Sequence, residues 1–322
     1  MYATLEALGK HVAAEPLLDA AFLPSWLIAA FGTDEQVAEL LPAVAEGTPF
    51  AVAHAEPGRA WGAAPSVTAS AGADGAVTLT GVKSPVRHAD QAATLLVTAV
   101  ADGATGVYVV DAGAAGMTRT DGRSADWSRA AQVEFAGTPA VRLGGGVGGV
   151  DDAAALRAAF ARARVAVLGE VVGLMETGLA LTVEYLKTRK QFGVPLSTFQ
   201  ALVHRASDLY ARVELARSMA LWATATVEAH DSGAVGADEF DSVADDAFVF
   251  VGDAAIEAAE EIVQLHGGIG MTYESTVAHH AARLTAITES FGGVAAARRR
   301  AVASDAVLTP PSALVGNVAA DA

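Results

Sequence analysis

The chain contains no cysteine. That absence excludes a disulfide framework, thiolate metal sites and a cysteine nucleophile, and it fits a reducing cytoplasm. Positive charge is scarce: 21 Lys and Arg stand against 37 Asp and Glu, a formal net charge of −16. Nucleic acid is therefore not the expected partner, and a polyphosphate ligand would need a locally basic patch. The one dense basic run, Arg298-Arg299-Arg300, fits a solvated helix face or the last turn of a helix, where cations complement the macrodipole. Apolar runs such as Ala51–Ala53 and Val165–Leu168 are short, so no membrane span is expected. The start lacks the charged-then-apolar pattern of a secretory leader. No metal site is expected.

What is present divides into segments, and 322 residues suffice for two or three domains. Residues 1–49 read as helical, with Leu5, Leu8 and Val12, then Leu27, Ile28 and Phe31, and with Asp34 and Glu35 as a charged first turn. Pro42 and Pro49 are expected to break this region, which is too small to enclose a core of its own. Residues 50–150 change to short strands between turns. Asp74-Gly75 precedes Val77–Val82, Asp102-Gly103 separates Thr94–Ala99 from Val107–Val110, and Gln132–Phe135 alternates. A small antiparallel β domain is predicted, ending in a crossing loop at Gly144–Gly149. No strand–turn–helix unit surrounds those glycines, so they are not a dinucleotide fingerprint. From Asp151, a candidate N-cap, long helices are predicted over about 152–190, 198–230, 238–266 and 276–304, joined by short loops as in a four-helix bundle. This bundle domain covers 151–307, and 308–322, with Pro310-Pro311, reads as an extended tail. The fold class is α+β.

The stretch with the most chemical content is the corner between the first two bundle helices, Arg189-Lys190-Gln191-Phe192-Gly193. Gly193 suits a left-handed cap, Pro195 prevents continuation, and Ser197 with Gln200 reads as a capping box for the next helix. Cations at a helix end explain Arg189 and Lys190 but not the whole string. Followed by Phe199-Gln200, the corner resembles the acyl-CoA dehydrogenase family, where it holds the pyrophosphate of FAD. Three further stretches resemble that family in the same order: Ala55-Glu56-Pro57-Gly58, Gly81-Val82-Lys83, and Gln264-Leu265-His266-Gly267-Gly268-Ile269-Gly270. The resemblance covers nearly the whole chain and implies an acyl-CoA dehydrogenase-like fold with a shortened N-terminal helical segment.

Such an enzyme desaturates an acyl-CoA thioester: a glutamate removes the α proton while hydride passes to the flavin. The resemblance implies that FAD is shared across a subunit interface. Arg189, Gln191, Phe192, Phe199, Gln200, Gln264, Gly267 and Gly268 would serve its adenosine diphosphate half. A forked guanidinium suits pyrophosphate, and glycine admits close backbone approach. The flavin-ring side departs from the family pattern. Ser84-Pro85-Val86-Arg87-His88 replaces an aromatic-Ile-Thr-Asn run, Ala55 replaces a threonine, and Arg59-Ala60-Trp61-Gly62 lacks the Gly-Ser-Asp that normally follows. Arg87 or His88 could substitute as donors. The base is displaced too. Gapless counting from Gln264 reaches Phe291, a two-residue deletion brings Glu289 into place, and the alternative position on the first bundle helix is Ala163.

Two readings follow. One is the base-lacking subunit of a heteromeric dehydrogenase, paired with a homologous acyl-CoA dehydrogenase subunit and resembling the α2β2 enzymes of steroid-CoA thioesters. The other is a homo-oligomeric enzyme using Glu289 as catalytic base. A flavin-free scaffold on the same fold is a third. The resemblance also implies an acyl-CoA substrate and an electron-transfer flavoprotein as acceptor.

Overall fold

The computed structural model describes residues 1–72, 75–145 and 151–303. The tail at 308–322, most of the Gly144–Gly149 loop, and Asp74 of the Asp74-Gly75 turn lie outside the described residues. Two compact units emerge, Glu15–Phe160 and a second made of Met1–Ala14 with the chain from Ala161 onward. The N-terminal helices thus group with different units instead of forming a segment of their own.

In the first unit a π-helical turn at Leu18–Phe22 runs into α2 (Leu23–Phe31), followed by α3 (Asp34–Ala45). Thr33 and Gln36 form a reciprocal capping box at the start of α3. The Gln36 amide also donates to the Arg142 carbonyl at 2.9 Å, tying α3 to the last strand. Pro42 does not break α3 as expected; it sits in the last turn, where its missing N–H forfeits one ladder bond and little follows to be disrupted.

Among the described residues the sheet of this unit has seven strands, β1 (Phe50–Ala53), β2 (Thr68–Ala71), β3 (Val77–Arg87), β4 (Thr94–Ala101), β5 (Ala104–Asp111), β6 (Met117–Arg123) and β7 (Arg129–Arg142). Their order is β1-β4-β2-β3-β7-β5, β6 adds to β7, and β4–β5 pairing closes the circuit. The sheet is not wholly antiparallel, because β1 runs parallel to β4 from Phe50↔Thr94 to Ala53↔Val97, and β2 meets β4 in parallel at Thr68↔Val100. The long excursion through β2 and β3 supplies the crossover that a parallel pair needs. Asp102 and Gly103, at φ 50° and 82°, make the two-residue turn between β4 and β5, the geometry that Asp-Gly favours. The β3–β7 register slips between Lys83 and Val86, where Pro85 has no N–H for the ladder.

The second unit holds α1 (Tyr2–Lys10), most of α4 (Ala153–Thr188), α5 (Gln200–Asp231), α6 (Ala237–His266), α7 (Thr276–Thr288) and α8 (Gly293–Ala303). The fourth bundle helix is therefore broken, not continuous over 276–304. Phe291 (φ 54°), Gly292 (φ 91°) and Gly293 (φ 80°) are all left-handed and end the helical ladder. α1 lies directly on α4: a Cβ at Gly173 would come within 2.1 Å of the Glu6 carbonyl oxygen, and one at Gly9 within 2.1 Å of that of Glu170. Two arginines of the basic run on α8 reach α6, where Arg298 pairs with Asp253 and Arg300 with Asp245. Arg164 of α4 reaches the same Asp245 at 3.0 Å and is buried. Burial holds its pKa down at about 10, against the nearby Asp245 charge.

Although its uninterrupted apolar runs are short, α4 contains an 18-residue window with mean hydropathy 1.5, apolar and long enough to cross a membrane. Of that window 78% is buried inside the protein, which marks α4 as a core helix; its small and apolar residues face neighbours on every side.

Candidate cofactor-binding site

One end of the helical unit gathers the residues singled out in the sequence. α4 stops at Thr188, and the corner beyond it is a miniature β-hairpin, β8 (Lys190–Gln191) against β9 (Val194–Pro195). Its two-residue tip is Phe192 and Gly193, at φ 54° and 84°. Gly193 is left-handed as expected, but within a primed hairpin turn and not as a helix cap. The expected capping box is absent: Leu196–Thr198 forms a 3-10 turn, and Phe199 is the N-cap of α5 without a side-chain bond. The Thr198 hydroxyl donates instead to the Pro195 carbonyl at 2.8 Å. Once the hairpin fixed the chain direction, the start of α5 moved past Ser197.

Phe192 is 91% exposed, and its ring meets Phe199 edge-on at 6.2 Å. Arg189, Lys190, Gln191 and Gln200 are exposed. Among the described residues the side chains of Arg189 and Lys190 make no ion pair, so in a strongly acidic chain two cations stand ready for an anion. Gln264, in the last turn of α6, is exposed, as are Gly267 and Gly268 after it. Gly267 takes φ 66°, and a Cβ on either glycine would meet nothing within 4 Å. The two clusters belong together because the Tyr185 ring of α4 stacks on the His266 ring of α6 at 4.4 Å and 24°. Neither residue carried a signal for this contact. The end is apolar as well as basic, with Ile269 50%, Met271 77% and Tyr273 75% exposed.

The β unit presents a different picture at its Glu-Pro-Gly turn. The buried Lys83 ammonium donates to the Glu56 carboxylate at 2.7 Å, the His54 carbonyl at 3.0 Å and the Thr98 hydroxyl at 3.0 Å, which uses all three of its protons. Burial lowers the Lys83 pKa to about 8 despite that partner. Burial alone would raise Glu56, but bonds from Lys83 and from Ser66 and Val67 outweigh it and hold the carboxylate down at about 2. The His54 ring packs against Trp61 (4.6 Å) and Phe160 (4.5 Å). Its Nε2 lies 2.8 Å from the Trp61 carbonyl and its Nδ1 3.0 Å from Thr98 Oγ1. A carbonyl can only accept, so Nε2 carries the proton and Nδ1 accepts from the threonine hydroxyl. Burial pushes this imidazole down to about 4, so it is neutral at ordinary pH. The space left beside it is about 10 Å³, room for little beyond a water molecule. Arg87 and His88, the candidate substitute donors, turn toward Asp19, at 3.3 and 3.8 Å.

The carboxylates near the expected base positions are placed as follows. Glu289 is exposed at the end of α7. Its Oε2 lies 3.1 Å from where a Cβ on Gly293, the first residue of α8, would stand; a carboxylate there complements the helix dipole. Phe291 is buried at 6% exposure, and Ala163 is fully buried. Glu170 accepts from Arg283 Nε at 2.7 Å, and Glu176 pairs with Lys10 and Arg217.

Comparison with known proteins adds four findings. The model of the acyl-CoA dehydrogenase C-terminal domain matches residues 153–306. Over 307 residues the chain is 31% identical to acyl-CoA dehydrogenase FadE27 of Mycobacterium tuberculosis, spanning 92% of this chain and 78% of that protein. Among solved structures, a variant of the Tcur3481-Tcur3483 steroid ACAD matches with TM-score 0.81 at 30% identity, over 93% of this chain and 78% of that one. The ChsE4-ChsE5 complex from Mycobacterium tuberculosis matches with TM-score 0.80 at 30% identity, over 96% and 80%.

Proposed function

The chain belongs to the acyl-CoA dehydrogenase family, and from that premise we propose that it is the base-lacking subunit of a heteromeric, FAD-dependent acyl-CoA dehydrogenase. The observation that carries this reading is the environment of Glu289. A carboxylate that abstracts a proton α to a thioester works best when burial raises its pKa toward the working pH. Glu289 is exposed and lies against the start of α8, while the buried side chains at the other two positions, Phe291 and Ala163, cannot take a proton.

The residues fit one half of the cofactor and not the other. At the bundle end Arg189 and Lys190 can neutralise a pyrophosphate, Gln264 can hydrogen-bond, and Gly267–Gly268 leave backbone open to an adenosine. At the β unit Arg87 and His88, the donors that would meet a flavin ring, are turned to Asp19. Bound FAD supplies the hydride acceptor for α,β-desaturation. In this reading the present chain grips the adenosine diphosphate end, and a homologous acyl-CoA dehydrogenase subunit holds the ring and carries the base. The exposed Phe192, Met271 and Tyr273 beside the grip suit cover by such a partner. A bulky steroid-type acyl-CoA is the substrate favoured by the likeness to the Tcur3481-Tcur3483 steroid ACAD, with an electron-transfer flavoprotein as acceptor and the cytoplasm as location.

The test is an absorbance spectrum of the chain purified alone and after co-expression with a homologous subunit. Flavin should appear only in the complex, and acyl-CoA oxidation should persist in Glu289→Gln. Flavin on the chain alone, with activity abolished by Glu289→Gln, would establish the homo-oligomeric reading instead. Absence of flavin from both preparations would favour the scaffold.

A further inference from the structure

We infer that the Tyr185–His266 stack is a positioning pair that sets the spacing between the two halves of the adenosine diphosphate grip. The inference rests on reading Arg189 and Gln264–Gly268 as that grip. Each ring is coupled rigidly to one half. Tyr185 lies one helical turn before Arg189, whose backbone N–H donates to the Tyr185 carbonyl at 2.8 Å. The Arg189 carbonyl in turn accepts from Leu196 N–H at 2.9 Å. The arginine backbone is therefore held from both sides, by α4 and by the exit of the hairpin.

On the other half, His266 is buried, and its Nδ1–H donates to the Ile262 carbonyl at 2.7 Å. That bond fixes the ring plane and leaves Nε2 as the acceptor nitrogen. Burial lowers its pKa, which keeps the ring neutral and suited to stacking. The next residue, Gly267, donates its backbone N–H to the carbonyls of Val263 and Gln264. A shift of the His266 ring therefore moves the glycine turn with it.

Among the described residues this stack is a ring-to-ring link at that end between two segments remote in sequence. Two loops held at the right separation before a ligand arrives do not have to be ordered by it, and affinity rises accordingly. Aromatic pairs of this kind change equilibria by about three- to tenfold.

The experiment is calorimetric titration of the full chain with ADP at fixed ionic strength, repeated on the complex with its homologous subunit after its flavin, which would fill the same grip, has been stripped. Tyr185→Leu should weaken ADP about tenfold, whereas Tyr185→Phe, which keeps the ring, should bind as the unaltered chain does. Arg189→Met should weaken ADP in its own right. In an Arg189→Met background the further effect of Tyr185→Leu should shrink, because Tyr185 acts through the placement of Arg189. A loss caused only by a damaged fold would instead persist there in full and would not be rescued by phenylalanine. Normal ADP affinity in Tyr185→Leu, with Arg189→Met still impaired, would overturn the positioning role alone. Unchanged affinity in Arg189→Met, or no ADP binding by the unaltered chain in either form, would remove the grip itself and this inference with it.

Discussion

Acidification offers a sharp test of how the β unit is built, because one histidine there is held neutral by its surroundings. His54 sits against Trp61 and Phe160, with both ring nitrogens engaged, and burial takes its pKa from 6.5 to about 4. In the unfolded chain the same imidazole titrates near its ordinary value. Between pH 6.5 and pH 4 the unfolded state therefore binds more protons than the folded one, so stability falls as pH falls. The contribution is fully present above pH 6.5 and lost as pH drops through 4. At about 1.4 kcal/mol per unit, the shift amounts to about 3 kcal/mol, of which roughly 2.5 kcal/mol is gone by pH 4.5. Stopping at pH 4.5 keeps clear of Glu56, whose carboxylate at about 2 costs stability only at lower pH. His266 and His280 are also held down by burial and act in the same direction. The informative quantity is therefore the difference between the unaltered chain and His54→Phe. Urea titrations at pH 7.5 and 4.5 should show His54→Phe weaker at pH 7.5, through its lost hydrogen bonds, but less sensitive to acid by about 2.5 kcal/mol. Equal acid sensitivity in the two proteins would refute the buried neutral imidazole.

Two further substitutions probe buried charge. Lys83→Met removes the buried ammonium paired with Glu56 at 2.7 Å, leaving the carboxylate to the more exposed Arg59 at 3.4 Å, and should cost about 3 kcal/mol in thermal or urea unfolding; the double change with Glu56→Gln should cost less than the two singles summed. Asp245→Asn leaves Arg164 and Arg300 confronting each other without their shared anion. A loss of about 3 kcal/mol or more is expected, and a change below about 1 kcal/mol would mean that water already solvates both guanidinium groups.

The helical half of the fold was legible because its signals are local. Apolar spacing marked the long helices to within a few residues, and Asp102-Gly103 marked its hairpin. What escaped depended on residues defying their usual preference or on contacts between remote segments. Phe192 and Phe291 both adopt left-handed backbone, a conformation that nothing about phenylalanine announces. The first turned an expected helix cap into a hairpin and the second broke the last bundle helix. Parallel pairing of β1 with β4 follows from chain routing, which alternation along a strand does not encode. At the site, resemblance pointed to Arg189 and to the glycine turn, and the structure brings them to one end. It did not reveal that Lys83 and Glu56 satisfy each other, because burial of two opposite charges depends on strands remote in sequence. Nor did it reveal Tyr185 against His266, for the same reason.

Phe192 carries one more implication, for anyone who sets out to engineer this chain. A left-handed backbone at a non-glycine residue costs about 1–2 kcal/mol, and its ring stands 91% exposed to water. Neither feature helps the isolated polypeptide. A screen for thermostable variants of the chain on its own would therefore favour glycine or asparagine at the hairpin tip. Such a screen would discard the aromatic that the cofactor reading places at the shared interface, so selection has to be run on the assembled complex.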